Sequence, residues 1–280
     1  MRVFVTGATG YIGSSVVREL INAGHKVVGL TRTDNGAAVL KEAGVEVHYG
    51  ALDDIDSLQS EAAAADGVIH LAFKHDFSDF AGSLASDLRA VEAIGAVLEG
   101  SQKPFITTSH ANGEPSDNLV LSLAERGVRA SVVSLSPTVH SQGDKGFVPI
   151  LINIARNKGF SAYIGDGSNR WPAVHRLDAA NLYRLALEKA PSGSRLYGRA
   201  EEGIPFRDIA NVIGKHLNVP VVSIPREEAD AHFSFLGAIA RLDIPSVMPG
   251  ATAQTRELLG WEPVHPGLIE DLEQGHYFKE

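Results

Sequence analysis

Gly7, Gly10 and Gly13 stand three residues apart, directly after the apolar run Val3-Phe4-Val5. A helical pattern opens at Ile12 and continues through Val16, Val17, Leu20 and Ile21. Strand, glycine turn and helix in that order aim backbone N–H groups and a positive dipole end at an anion, above all a pyrophosphate. Gly7 suits the tight turn, Gly10 the close approach of the phosphate, and Gly13 the packing of helix on strand. Thr9, Tyr11 and Ile12 complete the loop that would touch such a ligand. A purely structural glycine turn is the competing reading. It is weakened by a second strand at the expected distance.

A second set of residues could move protons. Ser109 and His110 follow the run Pro104–Thr108, and Thr108 ends it; His75 and His140 follow two other apolar runs. An imidazole titrates near neutrality and suits proton transfer there. The chain has eleven histidines, so any one of them competes with the reading of a hydrogen-bonded or solvated loop residue. His110 is the first choice for catalysis, with Ser109 and Thr108 beside it. His75, His140 and Trp171 are expected at the substrate, Trp171 from a loop between Arg170 and Pro172. Phe73, Phe77 and Phe80 could add an apolar wall, although the spacing of Phe77 and Phe80 equally fits a helix core. No metal site is expected: there is no HxH or HxxxH spacing, and the absence of cysteine removes thiolate chemistry and disulfides as well.

These residues must be held by regular elements. Lys26–Thr31, Val45–Tyr49, Gly67–Leu71, Pro104–Thr108 and Ala130–Leu135 read as buried strands. Helices are expected over 12–23, 36–43, 55–64, 79–99 and 117–126, with Gly24, Gly44 and Gly127 closing three of them. Buried strands joined by helices imply an α/β fold with a doubly wound parallel sheet of the Rossmann type. The beat loosens after about residue 140. Residues 1–145 are therefore assigned to a nucleotide-binding core and 146–280 to a smaller C-terminal α/β cap interleaved with the end of the sheet. In that cap, helices are expected over 147–158, 177–188 and 206–217, strands near 162–164, 195–198 and 219–223, and a helical, proline-interrupted tail. The cap would close the far side of a substrate cleft.

Net charge of −9 disfavours nucleic-acid and anionic-membrane partners, which would want a basic face. No window approaches the roughly 20 apolar residues of a membrane span. With a strand beginning at residue 2, no leader is expected, and the expected enzyme is cytoplasmic. Its partner would be a small molecule, and the long helix over 79–99 offers a surface for a homodimer.

At this point the chain resembles the extended, atypical branch of the short-chain dehydrogenase/reductase superfamily, which includes NAD-dependent epimerase/dehydratases and 3β-hydroxysteroid dehydrogenase-like proteins. Gly7–Gly13 has that branch's GxxGxxG spacing. Leu52-Asp53 is similar to its adenine-contacting pair, and His70-Leu71-Ala72-Phe73 to the segment beside the cofactor ribose. Ser136-Pro137-Thr138-Val139-His140 is similar to the segment lining the nicotinamide pocket. Trp171–Asp178 and Leu258-Leu259-Gly260-Trp261-Glu262-Pro263 resemble two later signatures. The resemblance thus implies cofactor contacts from Leu52, Asp53, Leu71, Ala72, Phe73, Pro137 and Val139. For Asp53, capping the following helix is a second role, with Asp54 its competitor. Asp178 is expected only to cap a helix.

In NAD-binding members the second strand ends in an acid that takes the ribose hydroxyls. Here Thr31 stands at that place, followed by Arg32. A neutral side chain removes repulsion, and a guanidinium pairs with a 2′-phosphate, so NADP(H) is expected over NAD(H). Arg32 as a solvated surface arginine is the competing reading. The resemblance also implies a Tyr and, four residues later, a Lys, and here the chain departs from it. Gly113 stands at the Tyr position and Asp117 at the Lys position, and only Ser109–Ser116 link the fifth strand to the next helix, where the family usually spends a few dozen residues. A positioned acid is worth about a hundred- to ten-thousandfold in rate. Its loss matters least where hydride meets an already activated acceptor. The expectation is an NADPH-dependent reductase of a small, largely apolar acceptor such as an enone, quinone, iminium or carbonyl. A non-catalytic NADP(H)-binding sensor, or an isomerase or lyase using the nucleotide as scaffold, are the alternatives.

Overall fold

Short β-branched runs alternate with amphipathic helices through the first half of the chain. They form β1 (Arg2–Thr6), α1 (Tyr11–Asn22), β2 (Lys26–Thr31), α2 (Asp34–Glu42), β3 (Glu46–Tyr49), α3 (Ile55–Ala64), β4 (Gly67–His70), α4 (Phe80–Leu98), β5 (Pro104–Thr108), α5 (Glu114–Ser122) and β6 (Arg129–Leu135). There follow β7 (Thr138–His140), α6 (Phe147–Lys158), β8 (Ser161–Ile164), β9 (Arg170–His175), α7 (Arg176–Lys189), β10 (Ser194–Gly198), β11 (Glu201–Pro205), α8 (Phe206–Leu217) and β12 (Val221–Ile224). The tail holds α9 (Ala229–Phe233), α10 (Gly237–Ala240), α11 (Ile244–Val247), α12 (Thr252–Leu259) and α13 (Leu268–Glu273). The computed structural model describes the chain except Phe77, Met248, Glu280 and the side chains of Ser246 and Val247. Phe77, one of the three phenylalanines of the expected wall, thus lies outside the described residues.

The chain passes back and forth between two compact units. One comprises Met1–Ser134, Ala179–Tyr197 and Ala253–Trp261; the other comprises Leu135–Asp178, Gly198–Thr252 and Glu262–Glu280. The first crossing falls at 134/135, ahead of the expected 145/146, and residues 179–197 return to the first unit with most of α7 and β10.

The first unit is built on a seven-stranded sheet in the order β10-β6-β5-β4-β1-β2-β3. The pairs β1–β2, β1–β4, β2–β3, β4–β5 and β5–β6 are all parallel. This is the expected doubly wound Rossmann arrangement, and the strand order reverses between β1 and β4. In such sheets the crevice at the carboxyl ends of the strands beside that reversal receives the ligand. Phe4, Val68, Phe105 and Val132 fill the core on one side of the sheet, against Leu58, Val91, Ile94 and Val120 of the covering helices. Burial on this scale is the main source of stability, at about 25 cal/mol per Å² of apolar surface removed from water.

The second unit carries a three-stranded sheet, β11-β9-β7, and a two-stranded parallel pair, β12-β8. Neither β7 nor β11 was expected, and Trp171 does not lie in a loop. It is the second residue of β9, fully buried, with its ring packed between Phe147 and Phe206. Pro172 made this stretch read as a loop, because proline gives no ladder hydrogen bond. The strand tolerates it where the register between β9 and β11 shifts, between Glu201 and Ile204.

Candidate active site

The glycine loop begins where β1 ends. Gly7 has φ +69°, and a Cβ there would stand 2.8 Å from the backbone N of Ala72, so the loops after β1 and β4 press together at the strand reversal. A Cβ on Gly13 would run into the carbonyl oxygen of Gly7, which is why the helix can start so close. Gly10 is different. A Cβ there would meet only the Gly7 oxygen, at 3.1 Å, and both Thr9 and Gly10 are exposed. No side chain caps α1, whose first turn holds no acid. An open concavity at an uncapped helix start fits a pyrophosphate. Tyr11 and Ile12 are half-buried in that first turn.

At the end of β2, Thr31 is buried and its hydroxyl faces the Thr33 backbone at 3.4 Å, while Thr33 caps α2 by accepting from Gly36 N. Arg32 is exposed and forms no ion pair among the described residues. Asp34, two residues on in the chain, accepts a hydrogen bond from the Tyr49 hydroxyl at 3.1 Å. After β3, Leu52 is part of the apolar core, and Asp54 rather than Asp53 caps α3 by accepting from Ser57 N. Asp53 instead takes Lys74 at 2.6 Å and Ser86 at 2.7 Å, which hold its carboxyl below the usual range.

Thr6, the last residue of β1, organises the end of β4. Its hydroxyl oxygen accepts from Leu71 N and Ala72 N, each at 3.2 Å, and lies 2.9 Å from His70 Nδ1. One hydroxyl proton remains, so Thr6 donates it to Nδ1 and the ring's own proton sits on Nε2. That Nε2 lies 3.3 Å from Asp87 Oδ1 on α4. Asp87 and His70 are both buried. Burial works against the Asp87 charge, but the hydrogen bonds from His70 and Ser116, and the attraction the His70 and His110 rings exert when protonated, outweigh it and hold the carboxyl below its usual value.

His110 sits against this carboxylate, with Nε2 3.9 Å from Asp87 Oδ1. Its ring stacks on Phe73 at 4.0 Å and 27°. Phe73 in turn meets Phe80 and His75 edge-on. Desolvation pushes the His110 pKa down to about 4, against the opposing pull of Asp87, with His70 and His75 lowering it further and Asp117 raising it. At neutral pH the ring is therefore neutral. His110, Phe73 and the exposed His75 are thus brought together at the ends of β4 and β5.

The other two expected catalytic hydroxyls are occupied. Thr108 Oγ1 is 2.7 Å from the hydroxyl of Tyr183, a wholly buried phenol whose pKa burial raises. Ser109 donates to Asp117 Oδ2, which also receives Arg195 Nη1, both at 2.7 Å. At the place where a lysine was sought, the chain therefore holds an Asp–Arg pair. Gly113 is the residue before α5.

Pro137, Val139, His140 and Trp171 belong to the second unit. Pro137 and Val139 are half-buried. His140 is fully buried, with Nδ1 2.8 Å from Asp271, and Trp171 is core. Both His140 and Trp171, expected at the substrate, are buried. Asp178 is the third residue of α7. It accepts from Val264 N, His265 N and His265 Nδ1, at 3.0, 3.2 and 2.7 Å, and so pins the C-terminal segment. His175, Asp178 and His265 bring ligand-type atoms within 4.8 Å of one another, the one such group among the described residues. The two rings stack at 4.8 Å and 10°.

Sequence reasoning missed Asp87. Its signal was an acid in line with Ala90, Val91 and Ile94 on the apolar stripe of α4, a place where a charge costs too much unless it is paired.

The model of the NAD dependent epimerase/dehydratase family matches residues 3–95, from β1 through most of α4. An uncharacterized protein of Schizosaccharomyces pombe is 48% identical over 299 positions, covering 99% of this chain and all of the relative. The chain belongs to the NAD-dependent epimerase/dehydratase family, within the short-chain dehydrogenase/reductase superfamily. It is similar, at 27% identity over 79% of its length and 77% of the relative, to a 2-alkyl-3-oxoalkanoate reductase of Stenotrophomonas maltophilia. Its fold matches a dTDP-glucose 4,6-dehydratase from Streptomyces venezuelae, solved with NAD bound, with a TM-score of 0.73, 16% identity and coverage of 99% and 97%. This member of the family is an enzyme of the oxidoreductase type that uses a NAD(P) nucleotide. Among the described residues no helix is long and apolar enough to cross a membrane.

Proposed function

We propose that the protein is an NADPH-dependent reductase of a small, largely apolar acceptor whose carbon is already electrophilic, such as an enone, quinone or iminium, with carbonyls as the poorer case. The observation that carries this reading is His110, a neutral, partly exposed ring stacked on Phe73 at the carboxyl edge of the sheet, where the family's Tyr-Lys pair has no counterpart at Gly113 and Asp117. Neutral imidazole is a weak proton donor at pH 7, so a ketone would be reduced poorly. An acceptor that takes hydride readily needs only orientation and modest proton exchange.

The opening glycine loop and the start of α1 would hold the pyrophosphate, and Arg32 the 2′-phosphate. The bound nucleotide supplies the hydride. Phe73, beside the Leu71-Ala72 turn, offers the apolar surface on which a flat acceptor can lie, and His110 addresses its oxygen or nitrogen. Only residues 109–113 connect β5 to α5 at this edge. The alignment with the yeast relative spans 299 positions against 280 residues here, so at least 19 positions are gaps in this chain. The direct trial is NADPH oxidation followed at 340 nm over a panel of enones, quinones, iminium ions and ketones. The expected ranking places activated acceptors ahead of simple ketones; a flat panel would remove the reading.

A further inference from the structure

We infer that Asp87 is a positioning residue that fixes the tautomer of His110, keeping the proton on Nε2 and making Nδ1 the atom that exchanges a proton with substrate. The inference rests on the role of His110 proposed above. Its basis is geometric. The Asp87 carboxylate is an acceptor only, and three neighbours face it: His70 Nε2 at 3.3 Å, Ser116, and His110 Nε2 at 3.9 Å. The chain of donors behind His70 has one consistent direction, from Leu71 N and Ala72 N into Thr6, from Thr6 into His70, and from His70 into Asp87. With every proton in that chain committed, nothing there can donate to His110. Only an Nε2–H on His110 complements the carboxylate; a lone pair at that position would face negative charge without a proton between them. Asp87 thus orders the ring in the way a buried carboxylate orders a catalytic imidazole elsewhere.

The groups facing His110 come from four elements. Asp87 stands on α4, His70 on β4, His75 just beyond β4, and Asp117 on α5, where Arg195 of β10 already neutralises it. Asp87 is thus the unneutralised acid nearest the ring. In the oxidising direction the neutral ring would accept the substrate O–H proton at Nδ1 while the C–H hydride went to an oxidised nicotinamide; in the reducing direction a ring that had first taken a proton from water would return it to oxygen while hydride from the reduced nucleotide reached carbon.

The test is spectroscopic and needs no turnover. In protein carrying 15N-labelled histidine, two-bond 15N–1H correlations report the tautomer of each ring, and His110→Gln identifies the His110 signals. Wild type at pH 7 is expected to show His110 neutral and protonated at Nε2. Asp87→Asn is expected to shift the His110 titration midpoint downward and to weaken the Nε2–H preference, and Asp87→Glu to restore part of both. An Nδ1–H ring in wild type overturns the inference without any variant having to fold, as does an unchanged midpoint in a folded Asp87→Asn protein. A failed acceptor panel with the expected tautomer would instead overturn the reductase reading and leave the positioning role standing.

Discussion

Two histidine–aspartate clusters are built from the same side chains and differ in what closes on each carboxylate. In the first unit, Asp87 is approached by side chains alone, His70, Ser116 and His110, and the last of these keeps one ring face on Phe73 and an edge toward solvent. In the second unit, Asp178 accepts two main-chain N–H groups and His265 from one short segment, Asp271 takes His140, and the His140, His175 and His265 rings cover one another. The second cluster is a clasp whose bonds close on the chain itself. The first leaves one nitrogen uncommitted at the carboxyl edge of a parallel sheet, where ligands bind. Composition does not distinguish the two clusters; on the proposed reading, the identity of the donors to each carboxylate does.

The contrast is broken most forcefully at His110. His110→Gln is expected to lower kcat by about a hundredfold, the low end for a positioned proton-transfer group because the acceptor is already activated, with little change in melting temperature, because the ring is at the edge and only stacked. An unaltered kcat with a good acceptor would show that the two clusters are both architectural. The reciprocal change, Asp178→Ala, strips the acceptor from two backbone N–H groups and one imidazole. It is expected to cost about 3 kcal/mol of stability, as for a buried hydrogen-bonded charge removed from its partners, with kcat per folded molecule retained. Chemical denaturation beside a turnover assay measures both halves. Loss of turnover without loss of stability would place Asp178 among the working residues.

Smaller, and confined to the first unit, is the effect expected of Arg32→Ala. A lost charge-assisted pair to phosphate is worth roughly 1.5–3 kcal/mol, about ten- to a hundredfold in affinity. Titration calorimetry should show that loss for NADPH and none for NADH. Equal weakening of both would mean that Arg32 reads no 2′-phosphate and is the solvated arginine of the competing reading.

What the sequence revealed and what it hid follow from the range of the interactions. The glycine loop was legible because Gly10 and Gly13 close on Gly7 within the same turn, and the helix that follows repeats its own signature. The strands of the large sheet were legible as continuous apolar runs, buried on both faces. β9 was hidden because Pro172 and flanking polar residues imitate a loop, and its register shift depends on β11, some thirty residues later. Trp171 went astray with it. Asp87 was hidden for a deeper reason. Its partners His70, His110 and Ser116 come from two strand ends and another helix, and only the folded sheet brings them together. The same holds for Thr108, whose hydroxyl looked available until α7 placed Tyr183 against it.

The gentlest test of the two clusters uses acid. Burial pushes His110, His175 and His232 down to about 4, from a normal value near 6.5. The folded protein therefore holds all three rings neutral where the unfolded chain would already have taken up protons. Between those two values the unfolded state binds more protons, so stability must fall as pH falls. The contribution is complete above about 6.5 and is lost as pH drops through 4. Melting temperature should decline steadily from pH 7 to 4.5, by about 2–4 °C for each kcal/mol lost in a chain of this size. His175→Gln and His110→Gln each remove one of these titrating rings, so each should flatten the decline. Only the first should also lower the melting temperature at pH 7, since only His175 is packed within the clasp. If His110→Gln instead lowers it at pH 7 as much as His175→Gln does, the ring beside Asp87 is holding the fold together, and the distinction between the two clusters fails at its root.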